Sequence, residues 1–208
     1  STYPSNMISR LLVDFYKEWG TQFHIEYHEG SVEEITDHVH QGISEIGIVY
    51  VALKQVQTFQ HILTHKNLEF VPQDVKKICV YVGPNHPLYH TESIDFEDLS
   101  SLKFMRGVRD FFSMEHHLER VSMGVIDNEK LHHVVYTNSD HLIIDLLLHS
   151  DVCSLGLDFM HEPYTQYAIK SLPINGCEPF LQMGYVFNPE RALSAQARWV
   201  VERFRKML

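Results

Sequence analysis

The stretch from Phe23 to Val49, "FHIEYHEGSVEEITDHVHQGISEIGIV", constrains the fold more than any other part of the chain. Phe23, Ile25 and Tyr27 alternate with Gln22, His24, Glu26 and His28, as in a half-buried strand. Ser31 then stands where a helix N-cap belongs, and Glu34, three residues on, completes the capping-box pattern. The helix carries Val32, Ile35 and Val39 on one face and ends near Gly42, leading into Ile46 to Val49, a short buried strand. Strand, helix and strand in that order predict a parallel pair with a right-handed crossover. The helix start offers a second use, because free N–H groups and the positive end of the helix dipole can hold an anion or a polar ligand. Capping by itself is already a sufficient reason for Ser31.

The alternation continues on both sides. Ser5 to Trp19 spaces Ile8, Leu11, Leu12, Phe15 and Trp19 for an amphipathic helix that stops at Gly20. A further helix is predicted over Lys54 to Thr64 and a strand over Val75 to Val82. That strand runs into Gly83-Pro84-Asn85-His86-Pro87, a rigid turn expected to separate two halves. Beyond it come a short helix near Phe96 to Leu99, strands at Lys103 to Met105 and Leu131 to Tyr136, and a helix from about Ser113 to Val121. Asn138-Ser139-Asp140 caps a helix carrying Leu142, Ile143, Leu146 and Leu147, and Val152 to Leu155 is a buried strand before Gly156. Strands at Ala168 to Leu172 and Leu181 to Phe187 precede a closing helix, Ser194 to Leu208. Two capped joints in different halves of an α/β chain predict two lobes facing each other across a cleft, since open α/β sheets bind ligands beyond their strand carboxyl ends.

Composition excludes several classes of function. The 208 residues carry a formal charge of -10, which opposes unassisted binding to a phosphate backbone. Three cysteines, Cys79, Cys153 and Cys177, without C-x-x-C spacing, speak against a disulfide framework or structural zinc and fit a reducing cytoplasm. No apolar run is long enough to span a bilayer and no signal peptide opens the sequence, although Ser at position 1 suggests that something upstream has been removed. The histidine pairs His38 with His40, His116 with His117 and His132 with His133 lack the i,i+4 spacing of a helical zinc pair, and His24 and His28 lie two strand steps apart. Neither a metal nor a cofactor is expected. There is no G-x-S-x-G, H-E-x-x-H, Walker loop or G-x-G-x-x-G, so catalysis is not expected either.

Three runs, taken in order, resemble the effector-binding (regulatory) domain of LysR-type transcriptional regulators. They are "GSVEEITDHVHQGISEIGIV", with Glu45 where Asp is commoner, "ICVYVGPNHPLYHTESIDFEDLSSLKFM", and "TNSDHLIIDLLLHSDVCSLG" through to "FNPERALSAQARWVVERF". The resemblance implies two Rossmann-like lobes of the periplasmic-binding-protein type with a cleft between them. The chain would cross between lobes near Val75 to Val82 and Phe180 to Phe187, giving a discontinuous first lobe, 1–78 with 183–208, and a second lobe, 79–182. The family's N-terminal winged helix-turn-helix is absent from this sequence, as is most of the expected first strand, so any DNA contact would be made by a domain outside it.

The resemblance further implies a small-molecule effector, a carboxylate or an amino acid, gripped by strand-end turns of both lobes. In this sequence those positions are Ser1, Thr2, Tyr3, Ser31, Asn138 and Ser139, with Gly156 permitting close backbone approach. Arg106, after the strand "LKFM", could hold a carboxylate through bidentate hydrogen bonds, or could pair with a nearby acid. Dimers or tetramers, a cytoplasmic location and no membrane contact are expected. A peroxide-sensing role, found within the family, is disfavoured because Cys153 and Cys177 lack the close spacing of its redox pair. The competing expectation is a solute-binding protein of a transporter, which would share the fold.

Overall fold

The computed structural model describes residues 5–20, 25–106, 111–112, 114–127, 131–137, 139–158 and 167–207. The chain divides into two units, Ser1–Val75 with Asp110–Phe112 and Leu181–Leu208, and Lys76–Arg109 with Ser113–Phe180.

The first unit opens with α1 (Ser5–Trp19), which ends at Gly20 in the left-handed region that glycine enters without strain. Helix α2 (Val32–Gln41) begins at Ser31 and ends at Gly42, again left-handed, with its N–H turned back to the carbonyls of the last turn. Strand β1 (Ile46–Ala52) follows, then a 3-10 turn (Leu53–Gln55), helix α3 (Val56–His65) and strand β2 (Glu69–Lys76). Strand β8 (Leu181–Phe187) and helix α6 (Ala195–Met207) complete the unit. The sheet order is β1-β8-β2, with β1 antiparallel to β8. Pro72 lies in β2, an outer strand, the place in a sheet where proline is tolerated. Val32 and Val39 of α2, Val49 and Val51 of β1 and Phe59 and Leu63 of α3 form the core, which Phe112 joins edge-to-face with Phe59 at 5.1 Å. Each such side chain contributes about 1.5–3 kcal/mol on burial.

Two expectations fail here. Residues 25–28 form no strand, and β1 has no parallel neighbour among the described residues. Alternation marks the side of a chain that faces a core, but a strand exists only with a hydrogen-bonding partner beside it. Second, Val75 to Val82 is not one strand. β2 ends at Lys76, and a separate strand, β3 (Ile78–Val82), starts the second unit.

The second unit holds β3, a 3-10 segment (Phe96–Ser101), β4 (Lys103–Arg106), a 3-10 turn (Met114–His117) running into α4 (Leu118–Val121), β5 (His132–Tyr136), α5 (Asp140–His149), β6 (Cys153–Leu157) and β7 (Lys170–Pro173). The sheet order is β5-β4-β6-β3-β7. β4 runs parallel to both β5 and β6, whereas β3 is antiparallel to β6 and β7. All five residues of β3 are buried, as suits a strand covered on both faces. The turn from Gly83 to Pro87 lies inside this unit rather than between the two. Gly83 is held against α5: a Cβ there would stand 1.6 Å from the Leu147 carbonyl oxygen.

Candidate functional site: capped strand-to-helix joints and a buried arginine

In the first unit the joint at Ser31 is a complete capping box. The Ser31 hydroxyl accepts from the Glu34 N–H at 3.1 Å, and the Ser31 N–H donates to the Glu34 carboxylate at 2.8 Å. These bonds hold the Glu34 carboxyl below the ordinary carboxylate range, the Ser31 backbone N–H first and its hydroxyl second. The Ser31 hydroxyl is thereby engaged both by the Glu34 N–H and by the Glu34 carboxylate, which leaves it one lone pair.

In the second unit Ser139 is the N-cap of α5, its hydroxyl accepting from the Leu142 N–H at 3.3 Å. Arg106 is the last residue of β4, at the carboxyl end of a strand that runs parallel to both neighbours. That is the edge of an α/β sheet where ligands sit. The two are joined through Thr137. Its N–H donates to the Arg106 carbonyl at 2.9 Å, and its hydroxyl accepts from the Ser139 N–H at 3.0 Å. Adjacent parallel strand ends thus bring the Arg106 backbone next to the start of α5, although the two lie far apart in sequence.

Arg106 is paired with an acid, but not at the surface. It is only 8% exposed, and its Nε lies 3.8 Å from Oε1 of Glu115, itself 14% exposed. At that distance the pair is an ion pair without a hydrogen bond, and Nε is buried with no hydrogen-bond partner among the described residues. A buried guanidinium donor left in this state costs free energy that a carboxylate oxygen would recover.

Gly156 lies within β6 rather than after it, and its open face is taken by Tyr81. A Cβ there would stand 2.2 Å from the Tyr81 ring, whose hydroxyl donates to the Leu157 carbonyl at 2.8 Å. Packing accounts for this glycine. Ser1, Thr2, Tyr3 and Asn138 lie outside the described residues.

Among the described residues no group of three or more His, Cys, Asp or Glu side chains could hold a metal. One histidine pair does have helical i,i+4 spacing. His61 and His65 of α3 bring their Nε2 atoms within 3.3 Å on an exposed face. The H-x-x-x-H spacing is visible in the sequence, but the predicted helix stops at Thr64, one residue short of His65. All three cysteines are free and buried. Burial pushes Cys79 up to about 12 and raises Cys153 and Cys177, so none is a thiolate near neutrality. No helix among the described residues is long and apolar enough to cross a membrane.

Among solved structures, the chain is similar to the effector-binding domain of QuiR in complex with shikimate, at 17% identity and a TM-score of 0.67 over 99% of this chain and 93% of that one. It also matches the regulatory domain of MetR, a LysR family regulator from N. meningitidis, at 13% identity and a TM-score of 0.63 over 100% of this chain and 90% of that one. Against CbnR, a LysR family transcriptional regulator, identity is 13% and the TM-score 0.63 over 97% of this chain but 65% of that one. At these identities the likeness shows the fold, two Rossmann-like lobes of the periplasmic-binding-protein type. No curated protein matches the chain significantly. A family model described as the LysR substrate binding domain matches residues 1–208, and the chain belongs to that family.

Proposed function

We propose that this domain senses a small carboxylate effector for a LysR-type transcriptional regulator, and that Arg106 takes the carboxylate. The observation that carries this reading is the buried Arg106 Nε at the end of β4, without a hydrogen-bond partner among the described residues, on a residue whose backbone carbonyl is tied through Thr137 to the Ser139 start of α5. Shikimate, named with the QuiR domain, is a carboxylate and supports the choice of ligand class. Ser139 and, from the first unit, Ser31 supply hydroxyl and helix N-terminal donors to the polar groups of the effector. Asn138 and the residues Ser1, Thr2 and Tyr3 belong to the same proposed set. The chain spans 65% of the CbnR chain, and DNA contact is assigned to a separate domain. A free-standing transporter protein is the weaker reading, because the family matched is that of the regulators.

The domain acts by binding, without turnover, in a dimer or tetramer in the cytoplasm. Effector binding shifts the population between two arrangements of the oligomer, to the extent that one arrangement binds it more tightly. Calorimetry with panels of small carboxylates and amino acids tests this. Arg106→Met is expected to weaken a carboxylate about 10- to 100-fold, the equivalent of one charge-assisted hydrogen bond. A variant that binds as tightly as wild type would rule Arg106 out.

A further inference from the structure

The C-terminal half of α3 carries the run His61-Ile62-Leu63-Thr64-His65. Phe59 and Leu63 turn one face of this helix into the core of the first unit. Two residues further along, an α-helix has turned by about 200°, so His61 and His65 stand on the opposite, exposed face, one turn apart. The backbone beneath them is closed. The Lys66 N–H donates to the Leu63 carbonyl at 2.9 Å, and the Leu68 N–H reaches the same carbonyl at 3.0 Å after Asn67 takes the left-handed conformation at φ 53. Leu68 then joins the core, which fixes the end of the helix as a Schellman-type motif does.

The two imidazoles converge on this platform. Their rings meet edge to face, with centroids 4.7 Å apart and planes at 85°, and their Nε2 atoms are 3.3 Å apart. That is longer than the usual N–H hydrogen bond of about 2.9–3.0 Å. It matches the separation of two nitrogens that share one ion: placed about 2.0–2.1 Å from zinc at a tetrahedral angle, they stand about 3.3 Å from each other. Burial does not force the approach, because water can satisfy each exposed ring separately.

The surroundings favour a cation. The chain carries a formal charge of -10, and the charge of Lys66, next in sequence to His65, is balanced by Asp37 of α2 at 2.5 Å. The spacing is that by which two helical histidines hold zinc in H-E-x-x-H, but Ile62 stands where that motif has its glutamate base. The pair can therefore bind an ion without the group that would turn it to hydrolysis. Among the described residues no third His, Cys, Asp or Glu completes a cluster, which leaves the other coordination positions to water.

We propose that His61 and His65 form a two-histidine clip for a divalent late transition-metal ion, held by both Nε2 atoms and completed by water. Imidazole suits copper, nickel and zinc, and Cu²⁺ should bind more tightly than Zn²⁺. The bound ion ties the last turn of α3 to the turn before it, and it stabilises the folded first unit by mass action. The clip rests on α3 alone and is independent of Arg106 and of any effector.

Titration of the 208-residue chain with Cu²⁺ alone, in a non-coordinating buffer, tests this on wild type, His61→Gln, His65→Gln and the double variant. The other histidines are common to all four proteins, so the double variant reports their contribution. Both positions are exposed, and unfolding in urea without metal should be unchanged. Wild type should take up one equivalent per chain that the double variant lacks. Either single substitution should weaken that equivalent at least about 10-fold, because the second nitrogen binds as an intramolecular ligand. The Cu²⁺ electron paramagnetic resonance spectrum should show two imidazole nitrogens in wild type and one in each single variant. Zn²⁺ should raise the melting temperature of wild type above that of the double variant. Superimposable titrations of wild type and the double variant, or single variants that keep wild-type affinity, would overturn the assignment.

Discussion

Replacing Gly83 by Ala should be among the most damaging single-methyl additions available in this chain, and the damage should reach the proposed effector site. The added Cβ would meet the Leu147 carbonyl oxygen at 1.6 Å and its carbonyl carbon at 2.5 Å, both backbone atoms of α5. No rotamer change can relieve a clash with backbone, so β3 and the last turn of α5 must separate by more than an ångström. That movement loosens Leu147 and Ile143, both buried under α5. Overpacking of this kind costs about 3 kcal/mol, the upper part of its usual range. For a chain of this size the melting temperature should fall by roughly 6–12 °C. The comparison variant is Gly176→Asn, at φ +73 with nothing within 4 Å of the added Cβ. Asn tolerates that left-handed conformation, and its change should be within about 0.5 kcal/mol. Urea unfolding of both variants, with calorimetry of a carboxylate effector, reads the two consequences together. Because α5 begins at Ser139, Gly83→Ala should weaken the effector as well as the fold. A Gly83→Ala protein within about 1 kcal/mol of wild type would refute the close contact between β3 and α5.

Three further expectations can be checked directly. Ser31→Ala removes the acceptor of the Glu34 N–H and should cost about 1 kcal/mol by urea titration. This cap contribution should shrink as pH falls through the depressed Glu34 value, because protonation removes the carboxylate that Ser31 holds. His86, whose pKa is lowered by burial and whose Nδ1 accepts the Leu88 N–H at 3.1 Å, is neutral in the folded state. The unfolded chain takes up that proton first, so stability should decline as pH drops from about 6.5 toward 5. In His86→Asn, part of that decline should disappear from unfolding titrations at the two pH values. Finally, an aromatic disulfide reagent at pH 8 should find no fast thiol in the native protein and all three after unfolding, given the buried Cys79, Cys153 and Cys177. A fast native thiol would contradict the burial of at least one of them.

Local signals were legible wherever the physics is local. The capping box at Ser31, the glycine stop at Gly42 and the Ser139 cap are short-range devices, and each stands where the sequence pattern puts it. Amphipathic spacing located α1 and α6 to within a residue or two. The failures are non-local. Alternation through Ile25 and Tyr27 was present, but pairing needs a neighbour that the pattern cannot supply. The break between β2 and β3 was hidden because Val75 to Val82 keeps a strand-like composition across it. Arg106 could be named from its place after a strand. Its burial and its long contact with Glu115 depend on how a later turn packs back over β4.

By itself, then, the sequence determined the main helices, their caps and the membership of the chain in a family, all of which rest on neighbours within a few positions or on motif order. Only the tertiary structure decided which strands share an edge, since a ladder joins residues that the chain separates by tens of positions. It also decided that Gly156 is reserved for the Tyr81 ring and that the Arg106 backbone and Ser139 meet through Thr137. Each is a relation between surfaces, and a surface exists only after the backbone has chosen its partners.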